Sequence, residues 1–307
     1  MMPEYGDTAI KRVNLLASSF SGSTLFGILL CQDERYIGFG DTYIIPGISD
    51  ENAICNCGST LLECDFRVRL AEQLELRKLP TGMILDRKYC IPGTLISSRF
   101  EGTRFSSSYQ FIGRALGYER AYSSFLKREN GFLESLSGLG NFEYFLDGTK
   151  SIVRADIFTT VSAHSKIIHL IRNPLSVIHS TVTRHEDRGQ SISFNIRSWI
   201  RYNLRARKLC EENPERSAVV LFDNLIREPD VVLELLSRKL GLSSVDVESD
   251  NLRPELTHLM GNRSRHKATK VRANQLQPDA EDLIALGVAA DEIDQLSATY
   301  EYLQQPI

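Results

Sequence analysis

The sequence predicts a three-layer α/β/α fold with a mostly parallel central sheet, and three observations predict it. A short apolar run at 13–17 passes through a turn of small residues into a helical stretch at 25–31. Between residues 142 and 240, short apolar runs alternate with helical stretches, the pattern of βαβ units. No internal repeat or low-complexity linker interrupts the 307 residues, so a single domain over 1–307 is expected.

The elements follow in order. Residues 36–39 read as a second short strand. From 42 to about 104 the pattern is irregular, with Pro46, Pro80 and Pro92 as breakers and one helical stretch near 61–77. Residues 109–128 carry apolar positions at helical spacing. Then come a strand at 142–146, a helix at 151–161, a strand at 166–171, helices at 175–185 and 194–210, and a strand at 218–222. A helix at 229–240 stops at Gly241. Ligands of such sheets bind beyond the carboxyl ends of the strands.

Composition narrows the function classes. The chain is 42% hydrophobic and 24% charged, with a net charge of −3, so bulk electrostatics gives no case for nucleic acid or an anionic membrane. Lys11 and Arg12 precede an apolar stretch, but Ser18, Ser19, Ser21, Gly22, Ser23 and Thr24 break it. It is read as neither signal peptide nor membrane span, and a soluble, cytoplasmic protein is expected. Six cysteines make no disulfide scaffold in a chain of this size.

Candidate chemistry begins with the loop Ser18-Ser19-Phe20-Ser21-Gly22-Ser23-Thr24, between an apolar strand and a helix. Small residues let backbone N–H groups approach an anion, and a helix N-terminus adds a favourable dipole. The loop has no lysine, so it is not the Gly-Lys-Ser/Thr loop of a kinase or NTPase. A second set, Arg172-Asn173-Pro174, follows the strand at 166–171, with Ser180 eight residues after Arg172. An arginine at a strand end can fork onto phosphate oxygens.

Together these motifs resemble the PAPS-dependent sulfotransferases (PAPS is 3′-phosphoadenosine 5′-phosphosulfate). The similarity is to the bacterial, carbohydrate and tyrosyl-protein branch and runs in islands from about 13 to 265. It implies a P-loop-like sulfotransferase fold, with PAPS as cofactor and 3′,5′-bisphosphoadenosine as its product. Ser21, Gly22, Ser23 and Thr24 would form the 5′-phosphosulfate loop, and Arg172 and Ser180 the 3′-phosphate site. Where the family usually has a basic residue before its loop tetrad, this chain has Phe20. Lys150, in Asp147-Gly148-Thr149-Lys150, could supply that charge, with Arg154 one turn later. Asp223 resembles a residue preceding the family's next helix and is expected to cap it. His258 opens a segment similar to the family's late nucleotide element. Arg263 and Arg265 fall in that basic run, and 258–275 is expected to cover the cofactor.

Asp41, in a Gly-Asp pair, occupies the place of the base in related enzymes, with His164 and His179 as rivals. Residues 42–128 are assigned to the acceptor side, which leaves a small molecule, a sugar or a peptide as acceptor and expects no nucleic-acid or membrane partner. The alternative function is a catalytically weak or inactive binder of the 3′,5′-bisphosphate. Cys55, Cys57 and Cys64 are read as free thiols with no metal. A zinc site, completed by Cys31 or Cys90, is the alternative.

Overall fold

The computed structural model describes residues 9–40, 54–60, 63–79, 115–117, 122–184, 191–246, 251–258 and 278–307. At its centre lie five parallel strands: β1 (Lys11–Ala17), β2 (Tyr36–Gly38), β3 (Tyr144–Asp147), β4 (Lys166–Ile171) and β5 (Ser217–Leu221). Their spatial order is β2-β3-β1-β4-β5, and every described pairing is parallel. Described helices are α1 (Ser23–Leu30), α2 (Asp65–Leu76), α3 (Ser123–Ser137), α4 (Ile152–Val161) and α5 (Pro174–Arg184). They continue with α6 (Ile192–Glu211), α7 (Phe222–Arg227), α8 (Pro229–Leu240), α9 (Ala280–Ala285) and α10 (Ala290–Leu303).

Helices cover both faces of the sheet, which is why its inner strands read as nearly continuous apolar runs. Alternate side chains of β1 and β4 enter different cores. Val13, Leu15, Ile168 and Leu170 pack with Phe26 and Leu29 of α1, Leu225 of α7 and Leu236 of α8. Leu16 and Ile167 point the other way, toward Ile152 of α4 and Tyr202 and Ala206 of α6. The three-layer architecture expected from the alternation is therefore present.

Topology then marks the strand ends where folds of this kind take their ligands. The chain leaves β1 toward β2 and leaves β4 toward β5, in opposite directions along the sheet. Neighbouring strands whose connections diverge in this way open a crevice at their carboxyl ends.

Two differences from the sequence pattern have physical causes. Of the helical stretch expected at 109–128, residues 123–128 lie in α3, which runs on to Ser137, and Gly117 has φ of +79°, while 109–114 and 118–121 lie outside the described residues. Gly131 lies within α3 because a Cβ there would come 2.6 Å from Leu79, just beyond α2. The C-terminal pair α9 and α10 was not anticipated. Leu283, Leu296 and Leu303 are buried against α5 and α6 residues. Arg207 of α6 donates to the carbonyls of Gln305 and Pro306 at 2.6 and 2.9 Å, fastening the end of the chain. Among the described residues no helix is long and apolar enough to cross a membrane.

Candidate active site

The loop after β1 is built by backbone geometry. Phe20 and Gly22 both have positive φ, 62° and 84°, so the chain turns twice before α1 begins. Gly22 is required there for a second reason: a Cβ would lie 2.0 Å from the Phe222 ring. Ser21 is buried and its hydroxyl pairs with that of Ser18 at 2.5 Å, so Ser21 holds the loop together from inside. Ser23 and Thr24 are half-buried in the first turn of α1. No side chain caps α1. Its first-turn N–H groups therefore lack intrahelical partners and lie at the positive end of the helix dipole.

Arg172 leaves the end of β4 and closes on this loop. Its Nη1 donates to the Phe20 carbonyl at 3.0 Å, and its guanidinium lies 5.3 Å from the centre of the Phe222 ring. Phe222, the first residue after β5, thus touches both motifs. Ends of three neighbouring strands meet at one point: Gly22 from β1, Arg172 from β4 and Phe222 from β5. Ser180 is half-buried on α5, about 9 Å along the helix from Pro174 at 1.5 Å per residue. The N-terminus of α5 is held by Asn173, whose side chain accepts from the Leu175 N–H at 2.9 Å.

Asp223 does not cap its own helix. Its carboxylate instead accepts from the Asn173 N–H and the Tyr300 hydroxyl, both at 3.3 Å. The reason is position: α7 starts directly at the end of β5, beside the start of α5, so the carboxylate meets that N-terminus first. Desolvation, then the neighbouring Asp223 charge and hydrogen bond, push the Tyr300 phenol up.

Lys150 follows β3 with φ of 61° and is buried. Its carbonyl accepts from the Tyr202 hydroxyl at 2.8 Å, and the same hydroxyl accepts from the Ala17 N–H at 3.0 Å. One phenol on α6 therefore sets the spacing between the end of β1 and Lys150. Gly148, two residues earlier, lies against Gly40: a Cβ would come 2.8 Å from the Gly40 carbonyl oxygen. The end of β2 is thereby packed on the Lys150 loop. Asp41, the next residue, lies outside the described residues, as do Arg263 and Arg265.

Arg154, one turn after Lys150, belongs to a buried ion-pair cluster. It pairs with Asp147 at 2.8 Å and Glu129 at 3.0 Å, and Arg12 pairs with the same two carboxylates at 2.5 and 2.8 Å. All four side chains are buried. Burial alone would raise the Asp147 carboxyl, but the Arg154 and Arg12 guanidiniums outweigh it and hold the carboxyl well below the usual range. Asp147 Oδ1 also accepts from the Thr149 N–H at 3.2 Å. This neutral cluster thus braces the turn that carries Lys150.

His164 is exposed and His179 half-buried. Cys55, Cys57, Cys64 and His258 converge elsewhere, and their ligand atoms lie within 4.8 Å of one another.

No protein-family model matches the sequence, and no curated protein matches it either. Solved structures do match. The sulfotransferase domain of the Synechococcus PCC 7002 olefin synthase superposes with a TM-score of 0.50 at 17% identity, covering 95% of both chains. Sulfotransferase STF9 from Mycobacterium avium gives 0.52 at 15% identity, covering 97% of this chain and 78% of its own. Sulfotransferase STF1 from Mycobacterium tuberculosis H37Rv gives 0.50 at 14% identity, with 96% and 78% covered. With a five-stranded parallel sheet covered on both faces and a small-residue loop after its central strand, this chain has the sulfotransferase fold.

Proposed function

We propose that the chain is a sulfotransferase that moves a sulfuryl group from PAPS to a hydroxyl or amine acceptor. The observation that carries this reading is the meeting of Gly22, Arg172 and Phe222 at the β1/β4 crevice. A ribose bearing 3′ and 5′ phosphates needs two anion sites close together. Adjacent strand ends, about 4.8 Å apart, supply such a pair.

In this reading, backbone N–H groups of residues 22–25 and the hydroxyls of Ser23 and Thr24 hold the 5′ side. Arg172 and Ser180 hold the 3′-phosphate, and Arg263 and Arg265 close over the nucleotide. During transfer, the acceptor oxygen or nitrogen bonds to sulfur as the bond from sulfur to the 5′-phosphate oxygen breaks. Charge grows on that phosphate, where Lys150 and the loop N–H groups stabilise it. Asp41 takes the acceptor's proton. Residues 42–128 choose the acceptor, whether a small molecule, a sugar or a peptide.

A second reading is favoured by one observation. Phe20 replaces a basic residue and packs against the apolar cluster around Ile171 and Ile178. The chain would then bind 3′,5′-bisphosphoadenosine without transferring sulfate.

Calorimetric titration of 3′,5′-bisphosphoadenosine into the wild type and Arg172→Ala tests the site. Loss of a guanidinium–phosphate contact should weaken binding about 10- to 100-fold, the effect of about 1.5–3 kcal/mol. No binding by the folded wild type would sink both readings. Label transfer from PAPS to an acceptor mixture then separates them: the enzyme transfers label and loses turnover in Lys150→Ala, whereas the binder transfers none.

A further inference from the structure

We propose that Cys55, Cys57, Cys64 and His258 form a structural zinc site that fastens two distant segments of the chain. The proposal does not rest on the sulfuryl-transfer reading. It starts from distances. Cys57 Sγ lies 3.5 Å from Cys64 Sγ, Cys64 Sγ is 3.5 Å from His258 Nδ1, and Cys55 Sγ is 3.8 Å from the same nitrogen. Tetrahedral zinc with bonds of about 2.3 Å to sulfur and about 2.0 Å to nitrogen requires ligand–ligand edges of about 3.5–3.8 Å. Three edges already have that length, and all four ligand atoms fall within 4.8 Å.

The local chain is shaped to present these ligands. Ile54 and Thr60 bridge antiparallel, the Cys55 N–H donates to the Ser59 carbonyl at 2.9 Å, and the Gly58 N–H to the Cys55 carbonyl at 3.0 Å. Gly58 takes φ of +92° with open space where a Cβ would be, as a tight turn after two ligands requires. Cys64 is the N-cap of α2, where the helix dipole favours a thiolate. From the far segment, the His258 ring stacks on Phe66 with centroids 4.3 Å apart and an interplanar angle of 15°. That stacking fixes the direction of Nδ1. Asn56 donates to the Thr257 hydroxyl at 2.8 Å, so the two segments also meet beside the cluster.

An independent observation concerns Arg67, one turn into α2. It is 4% exposed, and its Nη2 donates to the His258 carbonyl at 2.8 Å. Its Nε and Nη1 are buried without a hydrogen-bond partner, and among the described residues no carboxylate pairs with it. Its guanidinium also lies 5.3 Å from the centre of the Phe39 ring, but a buried charge without a counter-charge remains costly. Zinc held by three thiolates and one neutral imidazole carries one net negative charge, which would balance Arg67. Soft thiolates with imidazole in tetrahedral array select zinc over hard cations. Cys31, by contrast, is packed among Phe26, Leu29 and Tyr36 in another core and is not a ligand.

Binding releases thiol protons to solvent and needs no oxidant. The consequence is structural: metal binding becomes folding free energy, here joining the segments before and within α2 to residue 258, where the basic segment departs.

Elemental analysis of untagged full-length protein, purified without chelator, tests this. About one zinc per chain is expected for a closed site of this ligand set. Cys57→Ser and His258→Asn should each lose most of it, while Cys31→Ser keeps it. If either ligand variant fails to fold, cobalt added to the zinc-depleted wild type supplies the readout: thiolate-to-cobalt charge transfer and tetrahedral visible bands are expected. Folded wild type that holds no zinc and gives no such cobalt spectrum would overturn the proposal. So would a Cys57–Cys64 disulfide in freshly isolated protein, or zinc undiminished in both ligand variants.

Discussion

The Tyr202 hydroxyl donates to the Lys150 carbonyl at 2.8 Å, and through its other contact, with the Ala17 N–H, it joins the loop after β3 to the last residue of β1. Tyr202 is almost wholly buried, so neither backbone group has water as a substitute partner. A loop carbonyl and a strand N–H share one oxygen, and that oxygen is fixed by α6, which packs on the sheet.

Tyr202→Phe should therefore do more than remove a hydroxyl. That hydroxyl is shared by a buried donor and a buried acceptor, and about 1–3 kcal/mol of stability should be lost with those two bonds. Urea unfolding measures that loss. Titration of 3′,5′-bisphosphoadenosine into the same variant should show weaker binding, since the end of β1 is no longer held relative to Lys150. Unchanged affinity at reduced stability would confine Tyr202 to the core.

Gly22 gives a sharper test of the loop. An alanine there meets two penalties: the left-handed conformation, about 1–2 kcal/mol, and the overlap with Phe222. Gly22→Ala should lose nucleotide binding and unfold at lower urea. Gly22→Ala combined with Phe222→Ala relieves the overlap but not the conformational strain. The double variant should recover part of the stability that the first substitution costs, beyond what additivity predicts. Strict additivity of the two losses would show that the ring is not what excludes a side chain.

How much of this was readable beforehand follows from range along the chain. The strands and the helices after them announce themselves locally, because a buried parallel strand needs an apolar run and the turn after it needs small residues. The motifs that hold Gly22 and Arg172 stand out that way, each following a strand, whereas Lys150 stands out through the family resemblance. Tyr202 was not, because a tyrosine on the buried face of a helix looks like ordinary core. Arg12 read as half of a basic pair near the start. Its partners Glu129 and Asp147 stand more than a hundred residues away, and no local pattern signals such pairing. His258 was noticed for its place near a basic segment, yet the side chains it meets are Cys55, Cys64 and Phe66. Asx chemistry misled at Asp223, since a helix cap is the local expectation and the neighbour across the sheet decided otherwise.

His169 carries the last prediction, on pH. It is fully buried in β4, its Nε2 lies 3.0 Å from the Asn203 side-chain oxygen, and its Nδ1 has no hydrogen-bond partner among the described residues. Burial pulls it down to about 4. The bond to Asn203 opposes that pull, and the nearby Arg207 charge reinforces it. The folded protein thus holds a neutral imidazole that the unfolded chain would protonate below about 6.5. Because the folded value is the lower one, the unfolded state binds more protons between about pH 6.5 and 4. The stabilisation is then fully present above 6.5 and is lost as pH falls, by at most about 1.4 kcal/mol per unit. Urea unfolding of the wild type and His169→Gln from pH 8 to 4.5 isolates this group, because the remaining titrations are common to both. The difference between the curves should be flat above pH 7 and shrink steadily below 6.5. Parallel curves throughout would mean that His169 takes up its proton within the fold as readily as in the unfolded chain, with Asn203 Oδ1 accepting from the imidazolium as it does from the neutral ring.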